Sequence, residues 1–402
     1  MSLFTPRTSA PAAPSGSLIR NRPTSASCRY KKFFWRRGQV NFLSVDEEME
    51  AADRVNLTRN HSVRTPEELP PNMDETELEV LGTVGTGAFG RALQVRHKQF
   101  GCLLVLKEVL NECKEDEEAL VREISLLRNL KHPNLLTCIG VVVRKKRICL
   151  VTEFIARGSL HNVLLGPSRR PLSWCTKGSF ARDISAGMSY LHQNGLIHRD
   201  LTTFNCLVRL NNSVVVSDFG LSKIVNPDRY SIDSLQQAGR RLSANKPAVG
   251  QKKFRCRPNM SRRRRHTVVG SPFWMAPEML AGAPYDGAVD VYSFGVIICQ
   301  LLGNCSADPD EIPRDDTTMS VNLAKFLSSG AVSRDAPFVL MQIAARCISI
   351  DPEKRPKFAT CLDWFDDLLL YLTTGRMPPA NLLANGEGKT GLVPNDKTVS
   401  GN

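Results

Sequence analysis

Hydrophobic and polar positions fall into three regimes along the chain. From Met1 to about Met73 no period is sustained, and Ser, Pro, Thr and Arg dominate, so residues 1–74 are expected to be a mostly disordered, basic N-terminal region. At Leu78 the pattern changes. Leu78-Glu79-Val80-Leu81 reads as a strand, and after a glycine-rich interruption Ala92-Leu93-Gln94-Val95 reads as a second. Leu103-Leu104-Val105-Leu106-Lys107 is an apolar third strand closed by a cation. An acidic linker follows, then a helix from about Glu117 to Leu130. In it Ile124, Leu127 and Leu130 recur at helical spacing, and Glu123 borders their face. Ile148-Cys149-Leu150-Val151 is a buried strand running into Thr152-Glu153-Phe154-Ile155. Gly158-Ser159-Leu160 opens a helix, and Phe180 to His192 repeats apolar residues with a helical period. The longest apolar run, Val289 to Gly303, contains Asp290 and is too short to span a bilayer, so it predicts a buried core helix. After Leu372 the chain turns rich in Gly, Pro and Asn, and residues 373–402 are expected to be a disordered tail.

Composition narrows the picture. The 402 residues are 42% hydrophobic, enough for a sizeable core. The 12 cysteines contain no Cys-x-x-Cys pair, which argues against zinc modules and a disulfide framework and fits reduced cytosolic thiols. No signal peptide is visible. The net charge of +13 gathers in two places, Arg29 to Arg37 and Lys252 to Arg265. In the first, cations alternate with Tyr30, Phe33, Phe34 and Trp35, which could rest on an anionic membrane or nucleic acid. The favoured reading is blander, a solubilising tail whose aromatics cover part of the folded domain. Arg59-Asn60-His61-Ser62 has the form of a basophilic phosphorylation site, but so short a pattern is common.

The candidate chemistry centres on His198-Arg199-Asp200-Leu201-Thr202-Thr203-Phe204-Asn205, followed by Asp218-Phe219-Gly220. Asp200 would orient a hydroxyl nucleophile and accept its proton. Asn205 and Asp218 would hold Mg²⁺ against a nucleotide's phosphates, since a hard cation prefers oxygen ligands. Gly85-Thr86-Gly87-Ala88-Phe89-Gly90 lies between two strands, which suits a hairpin over a triphosphate better than a dinucleotide turn; taken alone it could be a plain turn. Its spacing to Lys107 favours a lysine that meets phosphate, with Glu123 as its ion-pair partner. Thr152-Glu153-Phe154-Ile155 would be a hinge whose backbone reads an adenine edge, the small Thr152 leaving a pocket behind it.

With these features in this order, the chain resembles a protein kinase from about Leu78 to Leu372. Ala276-Pro277-Glu278, Asp290 and Arg355 fit the same pattern. The resemblance implies an α+β, bilobal fold with a kinase domain over 75–372. A small β-rich N-lobe would occupy about 75–155, a larger helical C-lobe about 156–372, and a long activation segment 218–278. It implies ATP and Mg²⁺. Gly85 to Gly90, Ala92, Val105, Lys107, Thr152, Glu153, Ile155 and Leu207 would hold the nucleotide, Asn205 and Asp218 the metal. Asp200, Lys107, Glu123 and Arg199 would form the catalytic set. Glu278 and Arg355 would pair as a buried bridge, Asp290 would brace the catalytic loop, and His198, Phe219 and Leu127 would stack.

Narrower signals resemble the LIM-kinase and testis-specific-kinase group. They are Asp200-Leu201-Thr202-Thr203-Phe204-Asn205-Cys206-Leu207-Val208, Thr267 to Glu278, and Ala307 to Arg314, while Arg262 to Arg265 ahead of Thr267 favours the LIM-kinase branch. The chain has neither the zinc ligands of LIM domains nor an evident PDZ segment, and Ala92 and Val105 depart from the usual nucleotide-lining residues. The resemblance implies cofilin, the actin-depolymerising protein, as substrate, an upstream kinase acting on Thr267, and a cytoplasmic place on the actin cytoskeleton. As in serine/threonine kinases, Ser271 is expected near Asp200 with its hydroxyl bonding that carboxylate, which favours a serine or threonine acceptor. The basic block Lys252 to Arg265 has three readings: a dock for an acidic partner, a nuclear-import signal that would permit shuttling, or a solvated loop. The nearest alternative is a kinase of broader or dual specificity; two other function classes are a pseudokinase scaffold acting through the basic loop, opposed by the full catalytic set, and nucleic-acid binding, for which no fold signature is present.

Overall fold

The computed structural model describes Leu69 and residues 71–86, 90–109, 114–145, 147–167, 169–224 and 270–375. The expectations for residues 1–68, for Gly87 to Phe89, for Thr267 and the basic block, and for the tail beyond 375 lie outside these.

After a short strand β1 (Asn72–Met73), two strand-forming runs separated by glycines, β2 (Leu78–Thr86) and β3 (Gly90–His97), make an antiparallel hairpin. β4 (Leu103–Val109), helix α1 (Lys114–Asn129), β5 (Cys138–Arg144) and β6 (Arg147–Glu153) complete the N-terminal part. The sheet order is β1-β5-β6-β4-β3-β2. Side chains alternate across a strand. In β4 this sends Leu104 and Leu106 into a core with Val95, Cys149 and Val151, and leaves Val105 and Lys107 on the opposite face. The parity of one strand thus selects which face carries the lysine. Val80 and Leu81 are exposed, because β2 is the sheet's edge.

Two boundaries differ from the sequence reading. α1 begins at Lys114 and takes up the acidic run read as a linker; carboxylates are favoured near a helix N-terminus, where the backbone dipole is positive. β1, too short to show any alternation, pairs in parallel with β5. It is pinned by Leu69 and Met73 in the sheet's core, and a Cβ on Gly140 would lie 2.5 Å from the Pro71 carbonyl oxygen.

The C-terminal part is helical. α2 (Leu160–Leu165) is capped by Ser159, and α3 (Trp174–Gln193) by Ser173. Short strands β7 (Leu196–Ile197), β8 (Cys206–Val208), β9 (Val214–Val216) and β10 (Lys223–Ile224) carry the loops of interest. α4 (Pro277–Leu280), α5 (Ala288–Gly303), α6 (Leu323–Ser328), α7 (Phe338–Cys347) and α8 (Phe358–Thr374) follow. α5 is buried on nearly every face, as its mainly apolar sequence requires, and its polar residues Asp290, Ser293 and Gln300 are buried with it. Phe180 and Ile184 of α3, Phe294 of α5, and Phe358 and Phe365 of α8 share one core with Leu127 of α1. The fold is therefore α+β, a β-rich N-terminal part on a helical C-terminal part. Among the described residues no helix is long and apolar enough to cross a membrane.

A polar network ties β1's flank to the sheet. Glu75 accepts from Arg144 Nε (2.8 Å), Arg144 Nη1 reaches Glu108 (3.0 Å), and Glu108 also accepts from Arg91 Nε (2.8 Å). Burial pushes the Glu108 carboxyl up, but Arg91 and then Arg144 outweigh it, leaving the group below its ordinary 4.5. A depressed carboxylate contributes stability above its unfolded pKa and loses it as pH falls through the folded one. Glu108→Gln should therefore melt below the wild type at pH 7, with the gap closing below about pH 4. A gap independent of pH in thermal unfolding would show that the carboxylate's charge does not matter.

Candidate functional site

The face of β4 that carries Lys107 looks toward α1 and the loop after β9. Lys107 Nζ lies 2.7 Å from Glu123 Oε2 and 3.2 Å from Asp218 Oδ1. Glu123 is buried among Ile124 and Leu127, the stripe that the sequence placed it beside. Burial works against charge on Lys107, but the Asp218 and Glu123 carboxylates outweigh it and hold the ammonium above its ordinary range. Burial pushes Glu123 up, opposed first by Lys107. One cation thus joins the sheet, the helix and the loop, with both carboxylates aimed at one point.

The loop between β7 and β8 is held from below. Asp290, fully buried in the first turn of α5, accepts from the backbone N–H of His198 and of Arg199 (2.8 Å each) and lies 2.9 Å from His192 Nε2. Burial raises the Asp290 carboxyl, yet His192, His198 and the Arg199 amide keep it below its ordinary value. This anchoring supports strain. Arg199 and Asp218 both sit at positive φ, 67° and 65°. Such conformations in residues other than glycine cost about 1–3 kcal/mol and persist only where the surroundings impose them. Arg199 is further fixed by Nε donating to the Leu221 carbonyl (2.6 Å) and Nη1 to the Tyr285 hydroxyl (3.3 Å). Its guanidinium therefore positions the loop after Asp218.

Asp200 is buried and oriented at both oxygens. Oδ1 accepts from the Ser271 backbone N–H (2.8 Å) and Oδ2 from Asn205 Nδ2 (3.1 Å). Asn205 Nδ2 also donates to the Asp200 carbonyl (2.7 Å), so its amide donors are committed and its oxygen is the atom left for a cation. Ser271 is thus near Asp200, but the bond seen comes from its main-chain N–H where a hydroxyl bond was expected. Gly270 makes this approach possible: φ is +107°, and a Cβ there would stand 2.4 Å from the Arg199 carbonyl oxygen. The His198 and Phe219 rings are 5.3 Å apart, and Phe219 shares the core with Leu127. Arg355 grips Glu278 with both terminal nitrogens (2.5 and 2.9 Å).

The expected nucleotide-lining residues occupy the same region. Ala92 pairs with Lys107 across β3 and β4, and Val105 with Thr152 across β4 and β6. Gly85 pairs with Ala92, and Thr86 and Gly90 close the described ends of the hairpin. Ile155 clusters with Leu136 and Val215, and Leu207 packs on them. The Glu153 carboxylate is tied to Arg209 Nη2 (2.8 and 2.9 Å) and the Thr137 N–H (2.9 Å), so only its backbone could read a ligand. Among the described residues no cluster of three or more His, Cys, Asp or Glu could hold a metal unaided. Asn205 and Asp218 offer a hard cation two oxygens, which suits Mg²⁺, a metal that takes its other ligands from water and phosphate. Sequence reasoning missed Tyr285, Leu221 and Arg209, whose roles depend on contacts with no local signature. It also missed the stack of His161 on Phe204 (4.0 Å).

Comparison with known proteins bears on this arrangement. Residues 78–365 match the family model described as protein kinase domain. The chain is 38% identical over 329 residues to LIM domain kinase 1 of Drosophila melanogaster, covering 81% of this chain and 26% of that protein. It is 34% identical over 300 residues to dual specificity testis-specific protein kinase 1 of Rattus norvegicus, covering 74% of this chain and 42% of that protein. The Mus musculus counterpart is 34% identical over 297 residues, with 73% and 42% covered. The chain thus spans less than half the length of each.

Because a side chain at residue 270 meets backbone, which cannot give way cheaply, Gly270→Ala should lower unfolding stability by about 1–3 kcal/mol. A wild-type denaturation midpoint would show that the turn beside Asp200 tolerates a side chain.

Proposed function

Since the chain belongs to the protein kinase family and is similar to its LIM-kinase and testis-specific-kinase group, we propose that it transfers the γ-phosphoryl group of ATP to a serine or threonine hydroxyl of a protein substrate, cofilin. The observation that carries this reading is the ammonium of Lys107 set between Glu123 and Asp218, opposite an Asp200 carboxylate fixed at both oxygens.

Each residue has a physical task. Lys107, kept charged and aimed by Glu123, binds the α/β-phosphates. Asp218 and Asn205 hold Mg²⁺, which when bound offsets phosphate charge. Asp200 accepts the hydrogen bond of the acceptor hydroxyl, directs its oxygen at the γ-phosphorus and takes its proton. The barrier falls through positioning and charge stabilisation, since the protein supplies little covalent chemistry. The closeness of Ser271 to Asp200 supports a short acceptor side chain. The words "dual specificity" in the names of two relatives favour a second reading, in which tyrosine is also accepted.

Cofilin, regulation of actin filaments, activation by an upstream kinase at Thr267, and a cytoplasmic location with nuclear shuttling through the basic block all rest on resemblance to the LIM-kinase group. Thr267 phosphorylation would add close to two negative charges beside Arg262 to Arg265.

Radiolabelled transfer from Mg-ATP to cofilin, followed by phosphoamino-acid analysis, tests the reading. Asp200→Asn should lose at least about 10²-fold in rate. Label should sit on serine and vanish with cofilin lacking its N-terminal serine. Wild-type activity in Asp200→Asn would sink the mechanism. Transfer to other proteins but not cofilin would discard the substrate, and label on tyrosine would favour the second reading.

A further inference from the structure

Outside the cleft, residues 154–182 contain Arg157, Arg169, Arg170, Lys177 and Arg182 and no acidic residue. The structure separates these cations by what each one touches. Arg182 pairs with Asp366 (2.8 Å), Arg157 is bound to Asn212, and Lys177 is buried with its ammonium 4.2 Å from the Trp174 ring centroid. Arg169 and Arg170 are exposed and have no carboxylate or hydrogen-bond partner for their side chains among the described residues.

They stand over a cavity of about 420 Å³, with Val163, Leu164, Pro171 and Leu172 among the residues that line it. That volume is within the range of sites that accept organic ligands and side-chain anchors. Local contacts hold the described backbone on either side of residue 168. Gly166 closes α2 by donating to the Asn162 carbonyl (2.7 Å), and a Cβ on it would stand 2.4 Å from that oxygen. The Arg169 N–H then donates to the Gly166 carbonyl (3.2 Å), and Pro167 and Pro171 bracket the turn with fixed φ. The opposite wall is the last turn of α5, whose carbonyl end is negative, so an anion is favoured at the arginine rim and an apolar group below it.

We propose that this pocket is a docking site for an acidic segment of a protein partner that carries an aliphatic anchor, the anchor entering the cavity and its carboxylates meeting Arg169 and Arg170. α2 leads directly from the strand β6 that borders the cleft, and its His161 stacks on Phe204 of the catalytic loop, so a docked segment lies beside the substrate entrance without occupying it. The proposal does not depend on which hydroxyl is phosphorylated.

Fluorescence anisotropy with the full chain and a labelled peptide of about a dozen residues, bearing glutamates and two leucines, tests it. The wild type should bind with a micromolar Kd that weakens with salt. Arg169→Glu with Arg170→Glu should weaken binding by about tenfold, and Arg169→Gln with Arg170→Gln by less. Replacing the peptide's leucines with serine should weaken it as well. Phosphate transfer to a short acceptor peptide should stay within about twofold of wild type in these variants, which separates loss of docking from loss of the kinase site. Undiminished binding by the glutamate variant would overturn the proposal. So would equal binding of the leucine-free peptide, loss only on neutralising Arg262 to Arg265, or tighter binding of an oligonucleotide of equal charge.

Discussion

The site depends on one cation shared by two carboxylates. Lys107 comes from the sheet, Glu123 from α1, and Asp218 from the loop after β9, so the 2.7 and 3.2 Å contacts fix three elements against each other. A carboxylate as buried as Glu123 is expensive to charge without a partner, and the ammonium facing it offsets part of that penalty. Asp218 adds a second interaction on the side open to ligand, its carboxylate being nearly half exposed. A nucleotide with Mg²⁺ would arrive where charges of both signs are already placed, which is the preorganisation on which electrostatic catalysis relies.

A second constraint lies beneath the first. Asp290 is fully buried, and its two oxygens hold the consecutive amides of His198 and Arg199, so the catalytic loop is bent around a carboxylate. The left-handed conformation of Arg199 is held by Asp290, the Leu221 carbonyl and the Tyr285 hydroxyl. The same tension reaches Asp200 through Gly270, where the absence of a Cβ lets the chain pass within bonding distance of the catalytic carboxylate. The Arg355–Glu278 bridge then fastens the end of that segment to the helical core.

Much of this was legible in the sequence, for identifiable reasons. Leu103 to Leu106 is apolar throughout and Ile124 and Leu127 keep a helical period, so burial marks both elements, while the spacing after the glycines singles out Lys107 and the border of the helical stripe singles out Glu123. The spacing of Asp200, Asn205 and Asp218 is short enough for local geometry to dominate. Other features left no such trace. The two-residue strand Asn72–Met73 has no period to read, and its parallel pairing is decided by Leu69, Met73 and the bare Gly140. The acidic start of α1 looked like a linker because composition was weighed above the helix dipole. Tyr285, Leu221 and Arg209 act across distances in sequence that no pattern spans. The cavity under α2 needs Val163 and the last turn of α5 together, and they are more than a hundred residues apart.

The most direct measurement is the thermal unfolding of wild type and Asp218→Asn with ATP, with and without Mg²⁺. A ligand that binds only the folded chain raises its melting temperature according to its affinity. If Lys107, Glu123 and Asp218 form a nucleotide-metal site, ATP with Mg²⁺ should raise the wild-type midpoint well above ATP in chelator, and Asp218→Asn should lose that difference while remaining folded. An equal rise with and without Mg²⁺, or a wild-type response in Asp218→Asn, would contradict the account.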